Sequence, residues 1–490
     1  MKRLCYILLF LPLCFSCYYT LPESEDDGSY PDIFPDYIEV TVPATIAPLN
    51  FGLSKPCEEA YAVISARKKV LILKARKGQF KIPASDWKEL VAEAIITVTD
   101  PAIKVFVCVR TDKWVGYHPF NIYVAPDPID PYIAYRLIEP GYELWNRMGI
   151  YQRNLENYSE SAIMENKLTD KNCMNCHSFC MQNPDKMLFH MRAANAGTLL
   201  IDGDKIEKLN TKTAETMSAL VYPSWHPSGR YVAFSVNQTH QSFHQNDRNR
   251  VEVFDDASDV VVYDTEKHEI ITTSLIFSPN AFETFPTFSP DGQTLYFCSA
   301  EAKPMPESFR DVRYSLCSIS FDPSARRFGV EVDTLHSASH GKSASFPRVS
   351  PDGRHLLYTL AGYGNFSIWH KDADLYMLDL ETGVSQSLDI LNSDDVESYH
   401  SWSSNSRWIV FSSRRIDGLY TRPFIAHIDA EGKVSKPFLL PQKDTEFYHR
   451  FMKSYNIPEF ITGKVKDRRR ELSLKVKNDP GINVTFSQTK

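Results

Sequence analysis

The sequence predicts an all-β protein in which an Ig-like β-sandwich is followed by a β-propeller. Three observations predict this fold class. Tyr, Phe and Trp make up 12% of the 490 residues, and aromatic residues favour strands. Short runs that alternate between apolar and polar residues occupy residues 37–124. In the second half, four similar segments begin at Tyr222, Phe285, Phe346 and Tyr399, and internal repeats of this kind indicate a repeat architecture.

The N-terminus has the features of an export signal. Two basic residues precede an apolar run at residues 4–15, which is shorter than the roughly 20 residues that cross a bilayer. A serine precedes Cys17, and this resembles a lipoprotein signal in which the cysteine carries the lipid. We therefore predict a signal peptide at residues 1–16, a lipid on Cys17 and a flexible acidic tether at residues 17–36. The expected location is the cell envelope, in the outer membrane and at the cell surface. An uncleaved anchor is the alternative.

Residues 37–124 contain the strands of the predicted sandwich. Runs such as residues 37–42 and 105–109 alternate in the way that half-buried strands do. Cys57 and Cys108 either bridge the two sheets or remain as two buried thiols, because spacing alone does not fix the pairing. The pairing of Cys298 and Cys317 is equally open.

The repeat in the second half has the pattern of propeller blades. Each copy contains a short strand, a tight turn and a second apolar strand, and two copies carry Ser-Pro-Asp-Gly at the turn. Proline presets φ in such a turn and glycine supplies a positive φ. A third and a fourth strand follow each pair, and four antiparallel strands make one blade. The Ser-Pro-Asp-Gly pattern resembles the TolB-like β-propeller family over residues 186–455.

The sequence also predicts how the ring closes. Residues 186–210 supply only three strands of a blade, and residues 446–451 have the form of the missing first strand. We expect residues 446–451 to complete that blade and lock the ring. This counts five blades, or six if one more lies in the long linkers. Residues 456–490 then form a C-terminal tail.

The chemistry of the chain is concentrated in the predicted linker, residues 125–185. Cys173, Cys176 and His177 form a C-x-x-C-H pattern, which is the attachment pattern of c-type haem. The two thiols would bind the porphyrin covalently, and His177 would be the proximal ligand of the haem iron. Three alternatives are open: a structural disulfide, a redox-active dithiol, and a zinc site that includes Cys180.

The sixth ligand of a haem iron has several candidates. Methionine and histidine are the side chains that usually fill this position. The candidates near the motif or near the propeller mouth are Met181, Met187, His190, Met191, His226, His240 and His244.

The pattern as a whole is similar to that of bacterial envelope lipoproteins that join a C-x-x-C-H motif to a TolB-like propeller. This resemblance implies a membrane-anchored haem c protein that serves in electron transfer or other haem-linked redox chemistry and uses the propeller to dock an envelope protein or glycan partner. The alternative is a non-catalytic propeller scaffold with structural cysteines. The net charge of −7 argues against a nucleic-acid partner. The absence of a G-x-S-x-G elbow argues against a classical serine hydrolase, so we assign no catalytic residue.

Overall fold

The computed structural model describes residues 21–96, 101–139 and 147–488, which form an N-terminal unit and a ring of sheets. The predicted all-β class is confirmed, and the ring has the form of a propeller. Within the described residues, no helix is long and apolar enough to cross a bilayer. The predicted signal peptide and Cys17 lie outside these residues, so both stay predictions.

The N-terminal unit contains ten strands and one helix. In chain order these are β1 (Glu25–Asp26), β2 (Ile33–Phe34), β3 (Val40–Pro43), β4 (Phe51–Leu53), β5 (Glu59–Ala66), β6 (Lys69–Lys74), β7 (Gln79–Phe80), α1 (Ala84–Ile95), β8 (Ala102–Arg110), β9 (Trp114–Gly116) and β10 (Phe120–Ala125). Seven of the strands form one mixed sheet, in which β3 pairs with β10 in parallel, and β2, β4 and β7 form a small second sheet.

The predicted Ig-like sandwich is not confirmed, because a helix and a parallel strand pair replace the expected two antiparallel sheets. Helix α1 buries Trp87, Leu90, Val91 and Ala94, which recur at the spacing of a helix face. This helical spacing is present in the sequence, but the prediction followed the alternating runs on either side of it. Cys57 and Cys108 are free thiols.

The chain from Tyr132 onward forms six sheets, which we call blades 1 to 6. Each has four antiparallel strands, and the first of the four is the inner strand, which lies beside the inner strands of the two neighbouring blades. The inner strands of blades 1 to 6 are Ser454–Ile461, Met174–Phe179, Val221–Trp225, Ala281–Phe288, Ser343–Val349 and Glu397–Trp402.

Three further strands complete each blade, and two blades gain a fifth. The further strands are Tyr132–Ile138, Gly149–Asn154 and Glu160–Glu165 in blade 1; Lys186–Met191, Gly197–Asp202 and Lys205–Asn210 in blade 2; Tyr231–Phe243, Val251–Asp264 and Glu269–Thr272 in blade 3; Thr294–Glu301, Ser315–Asp322 and Arg327–His336 in blade 4; His355–Ala361, Asp374–Asp379 and Ser385–Ser387 in blade 5; and Trp408–Ser413, Arg422–His427 and Phe438–Leu439 in blade 6. The parallel fifth strands are Ile482–Asn483 on blade 2 and Thr485–Gln488 on blade 3.

The ring closes at a different place from the predicted one. Residues 446–451 do not form a strand, since Phe447–Arg450 is a single helical turn, α2. The inner strand of blade 2 is Met174–Phe179, and the C-terminal strand Ser454–Ile461 completes blade 1 instead. The ring therefore starts at Tyr132 rather than at residue 186, so residues 125–185 are not a linker. Residues 456–490 are not a free tail either, because they hold part of this strand, helix α3 (Arg469–Asn478) and both fifth strands.

All six inner strands are interrupted at the same place. The regular pairing with the second strand breaks for two residues, and the first of the two has a φ between 49° and 53°. The residues with this positive φ are Ile457, Cys176, Tyr222, Phe285, Phe346 and Tyr399 in blades 1 to 6. Such a β-bulge redirects side chains, and here it recurs in each blade.

Candidate active site

The bulge residues fill the middle of the ring. Phe285 and Phe346 stack with their ring centroids 3.9 Å apart; Tyr222 contacts both of them edge-on, and Tyr399 contacts Phe346 edge-on. We call these four side chains the aromatic plug. Tyr399 is buried, and this burial raises the pKa of its hydroxyl to about 12. The plug separates a small chamber on the side where the inner strands end from a wider pocket on the side where they begin.

The C-x-x-C-H motif belongs to this repeated geometry. Cys176 occupies the bulge position of blade 2, which is Tyr222 in blade 3 and Phe285 in blade 4. His177 occupies the next position, where four other blades have proline and blade 6 has His400. The last two residues of the motif therefore stand at the two bulge positions of a blade.

The residues of the motif do not fit a haem. Cys176 and His177 are 3% and 2% exposed, respectively, and lie inside the ring rather than at an open cleft. The cavity on this side of the plug measures about 120 Å³. Pockets for drug-sized ligands measure about 300–1,000 Å³, and a haem needs a pocket of at least that size. The predicted function of a c-type haem protein that transfers electrons is therefore wrong.

The structure also bears on the three alternatives to haem attachment, which are a structural disulfide, a zinc site and a redox-active dithiol. Cys173, Cys176 and Cys180 are free thiols, so this structure does not show the structural disulfide. Among the described residues, no three or more His, Cys, Asp or Glu side chains are grouped so that they could hold a metal ion, and Cys173, Cys176 and Cys180 do not form such a group. The motif runs into three antiparallel strands, Met174–Phe179, Lys186–Met191 and Gly197–Asp202, and this is not the βαβ setting of a redox dithiol.

The predicted sixth ligands are scattered. Met187, His190 and Met191 lie on the second strand of blade 2, where burial lowers the pKa of His190 to about 3. Met181 is largely exposed. The Nε2 atom of His226 lies 3.1 Å from the carbonyl oxygen of Gly292 in the next blade. His240 and His244 stack on Phe254 and Phe309, on the opposite side of the plug.

Each blade contributes a polar side chain at the same position to the lining of the small chamber. Two positions after each bulge residue, a polar side chain lines the cavity of about 120 Å³. In blades 1 to 6 these residues are Glu459, Ser178, Ser224, Thr287, Arg348 and Ser401. We call the six residues the polar ring and the cavity the lower chamber. Four of the six are hydroxyl side chains, so Glu459 and Arg348 carry the acid–base and charge properties of the chamber.

Glu459 is paired with the histidine of the motif. Its Oε2 atom lies 3.7 Å from Nε2 of His177, and the side chain of His177 is fully buried while that of Glu459 is 20% exposed. Burial raises the pKa of the Glu459 carboxyl to about 8, although the charge of Arg348 lowers it in part. Burial lowers the pKa of His177 to about 3, with a further contribution from Arg136. Burial therefore favours the uncharged form of both groups, with the proton on the carboxyl of Glu459.

Arg348 supplies the positive charge of the lower chamber. It is on the inner strand of blade 5, two blades away from Glu459. Its Nη1 atom donates to the carbonyl oxygen of Pro347 at 2.9 Å, and burial lowers the pKa of the guanidinium. Between the two blades, the hydroxyl of Ser401 donates to the carbonyl oxygen of Pro458 at 2.8 Å.

Sequence reasoning missed both charged residues of the polar ring. The repeat alignment places Arg348 at a position where the other three copies have serine or threonine, and this departure was a usable signal. Glu459 had no such signal, because its strand was not recognised as a blade strand.

The chamber can present a neutral carboxylic acid and a guanidinium to one small group. The predicted non-catalytic scaffold does not account for this pair.

No known protein family matches the sequence, and no curated protein matches it. Solved structures match weakly. A mutant apocarotenoid oxygenase from Synechocystis is 11% identical, with a TM-score of 0.35 over 85% of this chain and 94% of that chain. The periplasmic gluconolactonase of Pseudomonas aeruginosa is 13% identical, with a TM-score of 0.34 over 62% of this chain and 95% of that chain. TM-scores of this size do not identify a function for this chain.

Proposed function

We propose that the protein is a hydrolase that acts on a small ester or lactone in the lower chamber. The observation that carries this proposal is the placement of Glu459 and Arg348 as the two ionisable members of the polar ring. A carboxyl group that stays protonated near neutral pH is suited to general acid catalysis. A guanidinium in a dry site is suited to stabilising negative charge on an oxygen.

The proposed reaction uses the two groups at different oxygens. Arg348 donates hydrogen bonds to the carbonyl oxygen of the substrate, where negative charge develops when water attacks the carbonyl carbon. The bond from that carbon to the leaving oxygen breaks, and the leaving oxygen takes the proton of Glu459. The attacking water then returns one proton to the Glu459 carboxylate. The products are a carboxylic acid and an alcohol, and Glu459 ends in its starting state.

His177 acts in this proposal as a positioning residue rather than a catalytic one. It does not line the lower chamber, and it contacts the reaction only through Oε2 of Glu459. Because the imidazole is neutral and fully buried, it keeps the carboxyl of Glu459 out of water without adding a charge. Replacement of His177 should shift the pH profile of the reaction more than it changes the rate at the optimum.

The proposal is tested by hydrolysis of 4-nitrophenyl acetate and δ-valerolactone. We expect activity in the full-length protein, with a rate that falls as the pH rises above about 8, because Glu459 then loses its proton. Glu459→Gln should lower the rate by about 100-fold or more, in the range of general acid catalysis. Arg348→Met should cause a comparable loss, and Arg348→Lys should restore part of the rate because it restores the charge.

Two matched controls separate catalysis from folding. Glu301→Gln changes the same side chain where it is 82% exposed, and Arg327→Gln removes an exposed arginine from the outer strand of blade 4. Both should retain the full rate. A wild-type protein that hydrolyses neither compound would overturn the proposal. So would folded Glu459→Gln and Arg348→Met proteins, verified by circular dichroism, with the wild-type rate.

The predicted family and location extend the proposal. We propose that the six sheets are six blades of a TolB-like propeller, which the Ser-Pro-Asp-Gly turns support. We also propose that a lipid on Cys17 anchors the protein in the cell envelope. The Cys17→Ala protein should be released in soluble form or remain as precursor, and an unchanged mass and membrane fraction would contradict the anchor.

A further inference from the structure

A separate cavity lies between blades 2 and 3, at the end of the sheets where the inner strands begin. It measures about 450 Å³, within the range of small-molecule pockets. One wall is the end of blade 2 around Arg192 and Lys212, and the other includes Val221, Asn237 and Thr239 of blade 3. We call this cavity the side pocket. It shares no lining residue with the lower chamber, so the two can be tested separately.

Arg192 and Lys212 are the cations that line the side pocket. Arg192 follows the second strand of blade 2 and Lys212 follows the fourth, so the third strand lies between them. Neighbouring strands are about 4.8 Å apart, which puts the two backbones roughly 10 Å apart. Both side chains are exposed, and among the described residues neither has a hydrogen bond or an ion pair. Two free charges on separate segments of the chain therefore flank one cavity.

The lining between the two cations is small and uncharged. Ala193, Ala196 and Gly197 leave open the space above the third strand, so the two long side chains can reach a common ligand. In the part of the chain that the structure describes, no aspartate or glutamate lines this pocket. His190, which is buried in the lining, adds no charge, because burial, together with the charge of Arg192, lowers its pKa to about 3. The positive charge is thus unopposed.

Thr211 adds a hydroxyl group beside Lys212. Its Oγ1 atom accepts from the backbone N–H of Leu220 at 3.1 Å, and the residue is 2% exposed. This bond uses a lone pair of the oxygen, so the hydroxyl proton is still free to be donated. Within the described residues, that proton has no acceptor. Blade 2 therefore offers three donors to one ligand, which are a guanidinium, an ammonium and a hydroxyl.

We infer that the side pocket binds the phosphate monoester of a small alcohol. Such a group carries a charge of about −1.5 to −2 near neutral pH, which matches the two free cations. Arginine binds phosphate oxygens through its planar fork, and lysine binds them as a point charge. The three outer oxygens of one phosphate can meet all three donors, whereas a carboxylate offers only two oxygens. Ala219 and Val221 on the wall of blade 3 leave room for the small organic group.

The test is titration calorimetry with glycerol 3-phosphate as the probe. Glycerol is the neutral comparison, and succinate is a dicarboxylate of similar charge. We expect the full-length protein to bind glycerol 3-phosphate, with an affinity that falls as salt is added. The Arg192→Gln/Lys212→Gln protein should bind at least tenfold more weakly, because it loses two charged donors. Arg327→Gln, which removes an exposed arginine from the outer strand of blade 4, should bind as the wild type does.

A second pair of variants separates charge from space. Ala196 is an exposed residue of the lining, so the fold should tolerate both Ala196→Asp and Ala196→Asn. The two new side chains are similar in size, but only Ala196→Asp opposes the two cations. We expect Ala196→Asp to weaken binding of glycerol 3-phosphate at least tenfold and Ala196→Asn to retain it. Equal losses in the two variants would overturn recognition by charge.

The other outcomes that decide against the inference concern the probes. Failure of the wild type to bind glycerol 3-phosphate, or equal binding of glycerol, would overturn it. Equally tight binding of succinate would show that the pocket does not select a phosphate. Wild-type affinity in the Arg192→Gln/Lys212→Gln protein would show that the probe binds elsewhere. None of these outcomes bears on hydrolysis in the lower chamber, so the proposed function stands or falls by its own test.

Discussion

The two cavities on either side of the aromatic plug both contain arginine, but they differ in what surrounds it. In the lower chamber, Arg348 shares a volume of about 120 Å³ with the protonated carboxyl of Glu459. The wider pocket on the other side of the plug, which we call the upper pocket, measures about 730 Å³, and the exposed Arg248 and Arg250 lie on one hairpin of its lining. Burial changes the protonation of a group, while exposure leaves its charge available to a ligand. The difference therefore suits the lower chamber to proton transfer, whereas the charges of Arg248 and Arg250 stay open to solvent.

The largest effect that we expect is on stability as a function of pH. The pKa of Glu459 is about 8 in the folded protein, compared with 4.5 for an ordinary glutamate. Between these values the folded state retains a proton that the unfolded state loses, so stability should fall as the pH rises through this window. The loss attributable to Glu459 should approach roughly 5 kcal/mol above pH 8.

Urea denaturation of the wild type and of Glu459→Gln, from pH 4.5 to pH 9, measures this loss. The variant should lack it, and its advantage over the wild type should grow with pH. Glu301→Gln, at an exposed site, should follow the wild-type curve. Parallel curves for the wild type and Glu459→Gln would show that the carboxyl ionises as an ordinary glutamate does, and the contrast between the cavities would fail.

The next effect concerns the plug that separates the cavities. Phe285 is 1% exposed and stacks on Phe346 with ring centroids 3.9 Å apart. Phe285→Ala removes this contact and leaves a void in the axis of the ring, which should lower the free energy of unfolding by about 3 kcal/mol. Chemical denaturation checks this value. Phe243→Ala, at an exposed position of the upper pocket, should cost less than about 0.5 kcal/mol. Similar losses in the two variants would mean that the plug is not packed.

The repeat could be recognised from the sequence wherever four consecutive strands of the chain form one blade. In blades 3, 4 and 5, the predicted turn glycines Gly229, Gly292 and Gly353 have φ between 70° and 76°, as the turn chemistry requires. Blade 1 could not be recognised, because its inner strand Ser454–Ile461 lies about three hundred residues after the strand with which it pairs. No local turn signal marks a pairing between the two ends of a ring, so Glu459 could not be placed by sequence alone.

The C-x-x-C-H motif shows why a short pattern needs its structural context. Spacing alone is compatible with haem attachment, but spacing does not report that Cys176 sits at a bulge position shared by six blades. The alignment of the repeats contains a relevant observation. In blade 6, Tyr399 and His400 occupy the same two positions that Cys176 and His177 occupy in blade 2. In the N-terminal unit the failure was different, since the helical spacing of the buried residues of α1 was overlooked beside the alternating strands.

A smaller effect tests the position of Cys176 directly. Its thiol is 3% exposed, and burial raises its pKa, so it should resist alkylation in the folded protein, whereas the partly exposed Cys173 should react. Peptide mass spectrometry after brief treatment with iodoacetamide measures both rates. Cys176→Ala should cost about 1 kcal/mol, the cost of removing one buried atom. Equal alkylation of the two thiols would place Cys176 at an open surface, contrary to its assignment beside the plug.

The smallest effect concerns the exposed arginines of the upper pocket. Arg248 and Arg250 have no ion pair among the described residues, so the folded state gains nothing from their charges. Like charges held close together repel each other, and Arg248→Gln/Arg250→Gln should therefore raise stability by a few tenths of a kcal/mol at low salt. The gain should disappear near 0.5 M salt, because screening removes the repulsion. Arg348→Met should instead change stability by an amount that salt alters much less, since the guanidinium of Arg348 is largely removed from solvent and is screened less. Denaturation of the two variants at low and high salt measures both responses. A salt-independent loss of stability in the double variant would mean that the upper arginines are structural, and the upper pocket would then no longer differ in kind from the lower chamber.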